Sequence, residues 1–168
     1  MNKNIKNNGL HCICGNKTNP DKCCLALINK GAPAKNAEAL MRSRYTGYVL
    51  GQVQYLLDSW HSSTRPSEIR LEDGLRWTGL SVLKATKEKN NTAYVEFAAQ
   101  FESGGKTGQM HERSQFVFEN NKWFYVQGEQ IESATQYAVK PQSRNAACAC
   151  GSGKKFKKCC ANKFAAKI

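Results

Sequence analysis

The sequence predicts an α+β protein in which helices pack on one face of an antiparallel sheet, with a small cysteine-rich module at each end. Three observations predict this class. Apolar residues recur with a helical period between residues 37 and 60, they alternate with polar residues from residue 92 onward, and two identical cysteine patterns flank this region. The 168 residues, 40% of them hydrophobic, provide one domain of ordinary size plus short appendages.

The cysteines form an internal repeat. Each copy has two cysteines one residue apart, then eight residues, then two adjacent cysteines; the copies are Cys12, Cys14, Cys23 and Cys24 near the N-terminus and Cys148, Cys150, Cys159 and Cys160 near the C-terminus. A glycine follows the second cysteine of each copy, where a chain that turns around an ion needs a residue without a Cβ. Each quartet is therefore predicted to be one structural unit.

Four thiolates in two close pairs suit tetrahedral Zn²⁺. We expect two zinc sites of structural character, because four protein ligands leave no open position for water or substrate. A disulfide between adjacent cysteines, a redox role and an iron–sulfur cluster are the alternatives. The first ten residues are rich in Asn and Lys and lack the apolar segment of a signal peptide, and no stretch reaches the roughly 20 apolar residues of a membrane span. We therefore expect a cytoplasmic protein with reduced cysteines.

The formal net charge of +12 is concentrated at the two ends. Residues 1–35 hold six Lys and one Asp (+5), residues 36–139 hold eleven basic and twelve acidic residues (−1), and residues 140–168 hold eight basic residues and no acid (+8). The C-terminal cysteine loop contains four lysines around one aromatic residue, namely Lys154, Lys155, Phe156, Lys157 and Lys158. This loop is predicted to bind an acidic partner, either an acidic protein or an RNA or ribosome surface.

Two helices are predicted after Pro33. Ala37, Leu40, Met41, Tyr45 and Tyr48 share a helical spacing, which continues to Trp60, with a break expected near Gly47 or Gly51. An irregular connection that contains Pro66 and Gly74 follows.

Four strands are predicted near residues 77–88, 92–102, 108–119 and 122–130. Asn90-Asn91, Ser103-Gly104-Gly105 and Asn120-Asn121 mark hairpin turns between them. The strands thus form an antiparallel meander with the helices on one face.

Strand alternation predicts a pocket. Phe116 and Phe118 belong to the core face of the third strand, so Ser114 and Glu112 share that face, while His111, Arg113 and Gln115 point outward. We expect the inner Glu112 to pair with Arg44, and a pocket formed by Arg44, Tyr45, Trp60 and Glu112 in which Glu112 acts as general acid or base. The alternatives are an ion pair that only orients the sheet and a bulge that returns Glu112 to solvent.

Two histidines, His61 and His11, are not predicted to be catalytic residues or metal ligands. His61 precedes Ser62-Ser63-Thr64, but nothing in the sequence brings a base to a nucleophile, and a histidine after a helix more often caps its C-terminal carbonyls. His11 adjoins Cys12, yet four cysteines already fill the predicted site. No catalytic residue is identified.

The run from Cys148 to Cys160 resembles the SEC-C motif, the zinc-binding module at the C-terminus of SecA translocation ATPases; Cys160 stands where that module commonly has His. Two such modules around a central domain resemble the YchJ-like family of uncharacterised bacterial proteins, and Tyr125, Val126 and Gly128 are similar to the Tyr-Val-x-Gly ending of that family. The resemblance implies a central NTF2-like (cystatin-like) cone of helices on a curved sheet. The implied boundaries are 1–32 for the N-terminal knuckle, 33–139 for the NTF2-like domain and 140–168 for the C-terminal knuckle.

These observations favour a zinc-binding adaptor whose basic C-terminal knuckle binds an acidic protein or RNA. The alternative is an NTF2-like enzyme or small-ligand binder that uses the pocket around Glu112, with purely structural knuckles. Zinc storage or redox sensing is a third class, and it predicts ready loss of metal on mild oxidation.

Overall fold

The computed structural model describes residues 11–131 together with Asn145, Lys155 and Lys158. The chain separates into two compact units, Met1–Gln136 and Tyr137–Ile168, and the helices and strands below belong to the first. The described part of that unit contains three α-helices and a four-stranded antiparallel sheet, so the predicted α+β class is confirmed.

The helices lie in the first part of the unit. A short 3₁₀ turn (Pro20–Lys22) precedes α1 (Cys24–Lys30), and α2 (Ala37–Leu50) and α3 (Val53–Asp58) follow. Asn36 caps α2 by accepting a hydrogen bond from the backbone N–H of Ala39 at 2.8 Å. Gly51 ends α2 in the left-handed region (φ 68°), which places the predicted break at Gly51. The sequence did not predict α1.

The sheet is a meander of β1 (Arg76–Ala85), β2 (Thr92–Ser103), β3 (Lys106–Glu119) and β4 (Lys122–Gln130), in that spatial order. Each strand begins and ends within about three residues of its predicted bounds. Asn90, Asn91, Asn120 and Asn121 all have positive φ, as two-residue hairpin turns of this hand require. The local turn residues thus set the register of the sheet.

One irregularity lies in the pairing of β3 with β4. Gln115 pairs with Gln127, but Phe116 pairs with Tyr125, so Val126 is an extra residue in a β-bulge. Beside this bulge the chain after α3 joins the outer edge of β4, where the N–H of His61 donates to the carbonyl of Tyr125 at 2.7 Å. The bulge and this added segment shape the end of the sheet around Tyr125.

One core joins the cysteine-rich segment, the helices and the inner face of the sheet. Its buried members include Cys14, Leu40, Val95 and Phe116, which come from all three parts. The N-terminal cysteine segment therefore shares the hydrophobic core of the body. Within residues 11–131, no helix combines the length and the apolar character needed to cross a bilayer.

Candidate metal centre and central cavity

The four N-terminal cysteines converge on one point. The sulfur atoms of Cys12, Cys14, Cys23 and Cys24 all lie within 4.8 Å of one another. The Sγ atoms of Cys14 and Cys23 are 3.8 Å apart, and those of Cys23 and Cys24 are 3.9 Å apart. A tetrahedron with metal–sulfur bonds near 2.3 Å has edges of about 3.8 Å. The four sulfurs, all of them free thiols, thus have the spacing of a tetrahedral metal site.

Local backbone structure positions these sulfurs. Gly15 has a φ of 87°, and its N–H donates to the carbonyl of Cys12 at 3.0 Å, which closes the turn after the first cysteine pair. Cys23 directly follows the 3₁₀ turn, and α1 begins at Cys24. Gly15, which follows the second cysteine of the first repeat, thus occupies the turn that the sequence predicts.

The cluster is shielded from water and supported from outside. Cys12, Cys14 and Cys24 are at most 4% exposed. The Nη1 atom of Arg42 on α2 donates to the carbonyl of Cys14 at 2.9 Å, and Nδ2 of Asn16 lies 3.7 Å from the sulfur of Cys23 as a donor. Such contacts orient metal ligands, and neither was predicted, because the fold alone brings Arg42 to Cys14.

The close approach of the four sulfur atoms gives the thiols of Cys12, Cys14 and Cys24 different pKa values. Hydrogen bonds from Cys14 and Cys24 lower the pKa of Cys12, whereas the interaction with Cys12 raises the pKa of Cys14 to about 11 and raises that of Cys24 as well. The residues fit a thiophilic divalent cation, since thiolates are its preferred ligands and the cation replaces the shared protons. His11 is exposed and is not part of the cluster.

The second cysteine quartet, Cys148, Cys150, Cys159 and Cys160, lies outside the described residues, as do Lys154, Phe156 and Lys157. Lys155 and Lys158 are both exposed, and the N–H of Lys158 donates to the carbonyl of Lys155 at 2.8 Å. At the equivalent place in the first copy, the N–H of Lys22 donates to the carbonyl of Asn19 at 3.0 Å. The two copies therefore share one backbone hydrogen bond at equivalent positions of the repeat.

A cavity of about 240 Å³ lies between α2 and the inner face of the sheet. It has an apolar wall and a polar wall. The apolar wall consists of Met41, Tyr45, Trp77, Phe97, Ala99, Met110 and Phe116, and the polar wall of Arg44, Tyr48, Glu112, Ser114 and Tyr125. Three of the four predicted pocket residues, Arg44, Tyr45 and Glu112, line it.

Arg44 is a buried cation that is 5% exposed. Its Nη1 donates to the carbonyl of Leu56 and to Oγ of Ser59, both at 2.7 Å. Its guanidinium carbon lies 4.4 Å from the ring centroid of Tyr125 and 5.0 Å from that of Trp60, within cation–π range. Trp60 supports Arg44 from outside the cavity lining, so its prediction as a wall residue is corrected.

Glu112 faces the cavity, as strand alternation predicted, but its hydrogen-bond partner is Ser114 rather than Arg44. The predicted ion pair is not formed, because Leu56 and Ser59 hold the guanidinium. Burial raises the pKa of Glu112, and the Ser114 hydrogen bond and the charge of Arg44 offset part of this effect. Gly128 of β4 provides the space for Glu112, since a Cβ there would overlap the carboxyl group.

The outward residues also agree with the alternation. Nε2 of His111 lies 2.9 Å from Oε1 of Glu96, and the Arg113 guanidinium stacks on Tyr94 at 4.5 Å. His61 does not cap α3: Nδ1 lies 2.6 Å from Oγ of Ser63, and Nε2 lies 3.2 Å from Oε2 of Glu119. Ser63 and Glu119 are exposed and do not line the cavity, so these contacts attach the segment after α3 to the sheet.

Comparisons with known proteins agree with this architecture. Residues 36–128 match the family model of the YchJ middle NTF2-like domain, and residues 144–162 match the SEC-C motif. A SEC-C motif containing protein from Rhodopseudomonas palustris, known from a solution structure, is 32% identical, with a TM-score of 0.64 over 73% of this chain and 99% of that chain. A second, from Psychrobacter arcticus, known from a crystal structure, is 27% identical, with a TM-score of 0.57 over 84% of this chain and 85% of that chain.

The fold and the motifs together define an NTF2-like protein that carries a SEC-C motif. The chain belongs to the YchJ-like family, whose middle-domain model covers more than half of it. The sequence resemblance to that family is confirmed.

Proposed function

We propose that the protein is a zinc-dependent interaction module in which each cysteine quartet holds one structural Zn²⁺ and the C-terminal knuckle presents lysines to an acidic partner. The observation that carries the first part is the convergence of four free thiols at tetrahedral spacing. The backbone hydrogen bonds donated by Lys22 and by Lys158, at equivalent positions of the repeat, support an equivalent second site. With four thiolate ligands the ion has no open position, so its role is to hold the knuckle in shape.

Metal analysis tests the zinc sites directly. Purified, reduced protein should contain two zinc ions per chain, and Cys14→Ser and Cys150→Ser should each lose one of them. His11→Ala is the matched control, because His11 adjoins the cluster without joining it, and it should retain both ions. Protein free of metal after reduction, or a Cys14→Ser variant with full metal content, would contradict the proposal.

The C-terminal loop favours an acidic protein over RNA as partner. Between Gly151 and Lys158 it has four lysines, one aromatic residue and no arginine. Single-stranded RNA is usually bound through several stacking aromatic residues and arginines, whereas lysine acts as a point charge toward carboxylates. The two lysines of this loop that the structure describes, Lys155 and Lys158, are exposed.

Binding of defined probes distinguishes the two partners. Fluorescence anisotropy with a labelled polyglutamate peptide and with a single-stranded RNA should show tighter binding of the peptide, weakening as salt rises. Replacing Lys154, Lys155, Lys157 and Lys158 by Gln should weaken it at least tenfold. The matched control replaces four exposed lysines of β1, the β1–β2 connection and β3, namely Lys84, Lys87, Lys89 and Lys106, and should bind as the wild type does. Tighter binding of RNA, or equal loss in both variants, would refute the assignment.

A second function, binding or conversion of a small molecule in the central cavity, is favoured by the polar wall. Arg44 and Glu112 are costly groups to bury, yet both face the same space without bonding to each other. Glu112, with its raised pKa, would serve there as a general acid or base. This function is independent of the zinc sites, and calorimetric or spectroscopic ligand titration tests it.

A further inference from the structure

We propose that the central cavity binds a small carboxylate with an apolar body, whose carboxylate group pairs with Arg44 and accepts a hydrogen bond from Glu112. The inference rests on the second function above and names the class of ligand. It follows from the charge of the polar wall, the size of the cavity and the chemistry of the apolar wall.

Arg44 makes no direct ion pair within residues 11–131, and the nearby Glu112 carboxyl acts on it only through its charge. Its hydrogen-bond and ring contacts include the carbonyl of Leu56, the hydroxyls of Ser59 and Tyr48, and the rings of Trp60 and Tyr125, all of them neutral groups. A buried cation without a direct ion-pair partner is costly, and a guanidinium matches a carboxylate in geometry and charge.

The other ionisable groups of the described wall are three tyrosines and Glu112, and none of them adds a positive charge to that of Arg44. Tyr45, Tyr48 and Tyr125 face the cavity, and burial raises the pKa of each phenol, which keeps them neutral. Burial also raises the pKa of Glu112, and a ligand carboxylate beside it raises this pKa further, so that Glu112 takes up a proton when the ligand binds. A protonated Glu112 donates a hydrogen bond that a ligand carboxylate accepts, so a bound anion and this proton stabilise each other.

Size and lining restrict the rest of the ligand. A volume of about 240 Å³ lies below the roughly 300–1,000 Å³ of pockets for drug-sized ligands, so one ring or a short alkyl chain fits. The apolar wall includes Trp77, Phe97 and Phe116, which favour an aromatic or aliphatic body. Arg44 is the only basic residue among the described residues of the lining, and a phosphate ester with two charges would lack a second cation there.

The methionines provide a direct assay. The chain has three, and two of them, Met41 and Met110, line the cavity, while Met1 lies outside the described residues. The full-length zinc-loaded protein with ¹³C-methyl methionine is titrated with benzoate, benzamide and benzylamine, which share one ring and differ in the head group. Benzoate should shift the methyl signals of Met41 and Met110 saturably, and the other two probes should bind at least tenfold more weakly.

Variants identify the roles of the two polar groups. Arg44→Gln should weaken benzoate binding at least tenfold, whereas Arg70→Gln, which changes an exposed arginine, should have no effect. If Arg44→Gln does not fold, Ala99→Leu, which fills the apolar wall, should abolish the methyl shifts. Calorimetry at pH 7 in two buffers of different ionisation enthalpy should detect proton uptake on benzoate binding, and Glu112→Gln should abolish this uptake.

The outcomes distinguish the carboxylate class of ligand from the more general proposal that the cavity binds a small molecule. Equal binding of benzamide or benzylamine would overturn the carboxylate class while leaving a ligand cavity in place. Absence of any methyl shift with all three probes would overturn both. Benzoate binding that Arg44→Gln leaves unchanged would refute the role of Arg44.

Discussion

Gly128 and Glu112 are predicted to be energetically coupled. Gly128 in β4 pairs with Ser114 in β3, and the side chain of Glu112 lies over it. A Cβ on residue 128 would overlap Oε1 and Cδ of Glu112 and lie 2.9 Å from Cγ. Gly128→Ala must therefore displace the carboxyl group from Ser114 or force the two strands apart.

These contacts determine how much Gly128→Ala is expected to lower the free energy of unfolding. Overpacking costs about 1–3 kcal/mol, and loss of a hydrogen bond to a charged group costs about 1.5–3 kcal/mol. Since the two terms overlap, Gly128→Ala should lower the free energy of unfolding by about 2–5 kcal/mol. For a chain of this length this corresponds to a decrease in Tm of about 5–15 °C.

A double-mutant cycle isolates the cause. In a Glu112→Ala background the overlapping atoms are absent, so Gly128→Ala should cost less than about 0.5 kcal/mol, helped by the reduced entropy of the unfolded chain. Urea unfolding followed by circular dichroism, at constant zinc and reductant, measures all four proteins. Gly79→Ala is the control: its Cβ would lie 2.9 Å from Oε1 of the exposed Gln100, which can swing aside. Equal costs of Gly128→Ala in both backgrounds would refute the reasoning.

Two further predictions concern Glu112 and the support of the metal cluster. Burial raises the pKa of Glu112 in the native state above its ordinary value of 4.5, so the contribution of Glu112 to stability is complete at low pH and is lost as pH rises through the native pKa. Urea unfolding at pH 4.5 and at pH 8 should therefore show that Glu112→Gln gains stability relative to the wild type at the higher pH. A stability difference that does not depend on pH would contradict this. Arg42→Ala removes the donor to the carbonyl of Cys14 and the ion pair with Glu38. Competition with a zinc chelator should show that the affinity for the N-terminal ion falls about 10- to 100-fold. The control Arg65→Ala, at an exposed position, should leave this affinity unchanged.

The elements that the sequence predicted well are those with local causes. The alternation of Ala93, Val95, Phe97 and Ala99 and the paired asparagines of two hairpins are properties of short segments, and the observed strands follow them closely. The sequence did not predict helix α1, because its seven residues, CLALINK, are too few to show a helical spacing of apolar residues. Its first residue belongs to the cysteine cluster, and contacts with the rest of the unit place it.

The amino-acid sequence by itself determined the two cysteine repeats, the meander and the inward face of Glu112, since spacing and parity depend only on neighbours along the chain. Tertiary structure decided which distant groups meet: Arg44 with Leu56 and Ser59 instead of Glu112, and Arg42 with the carbonyl of Cys14. The physical reason is that a long side chain with several donors has many potential acceptors within reach. Only the packing of α2 against α3, the cysteine segment and the sheet selects among them.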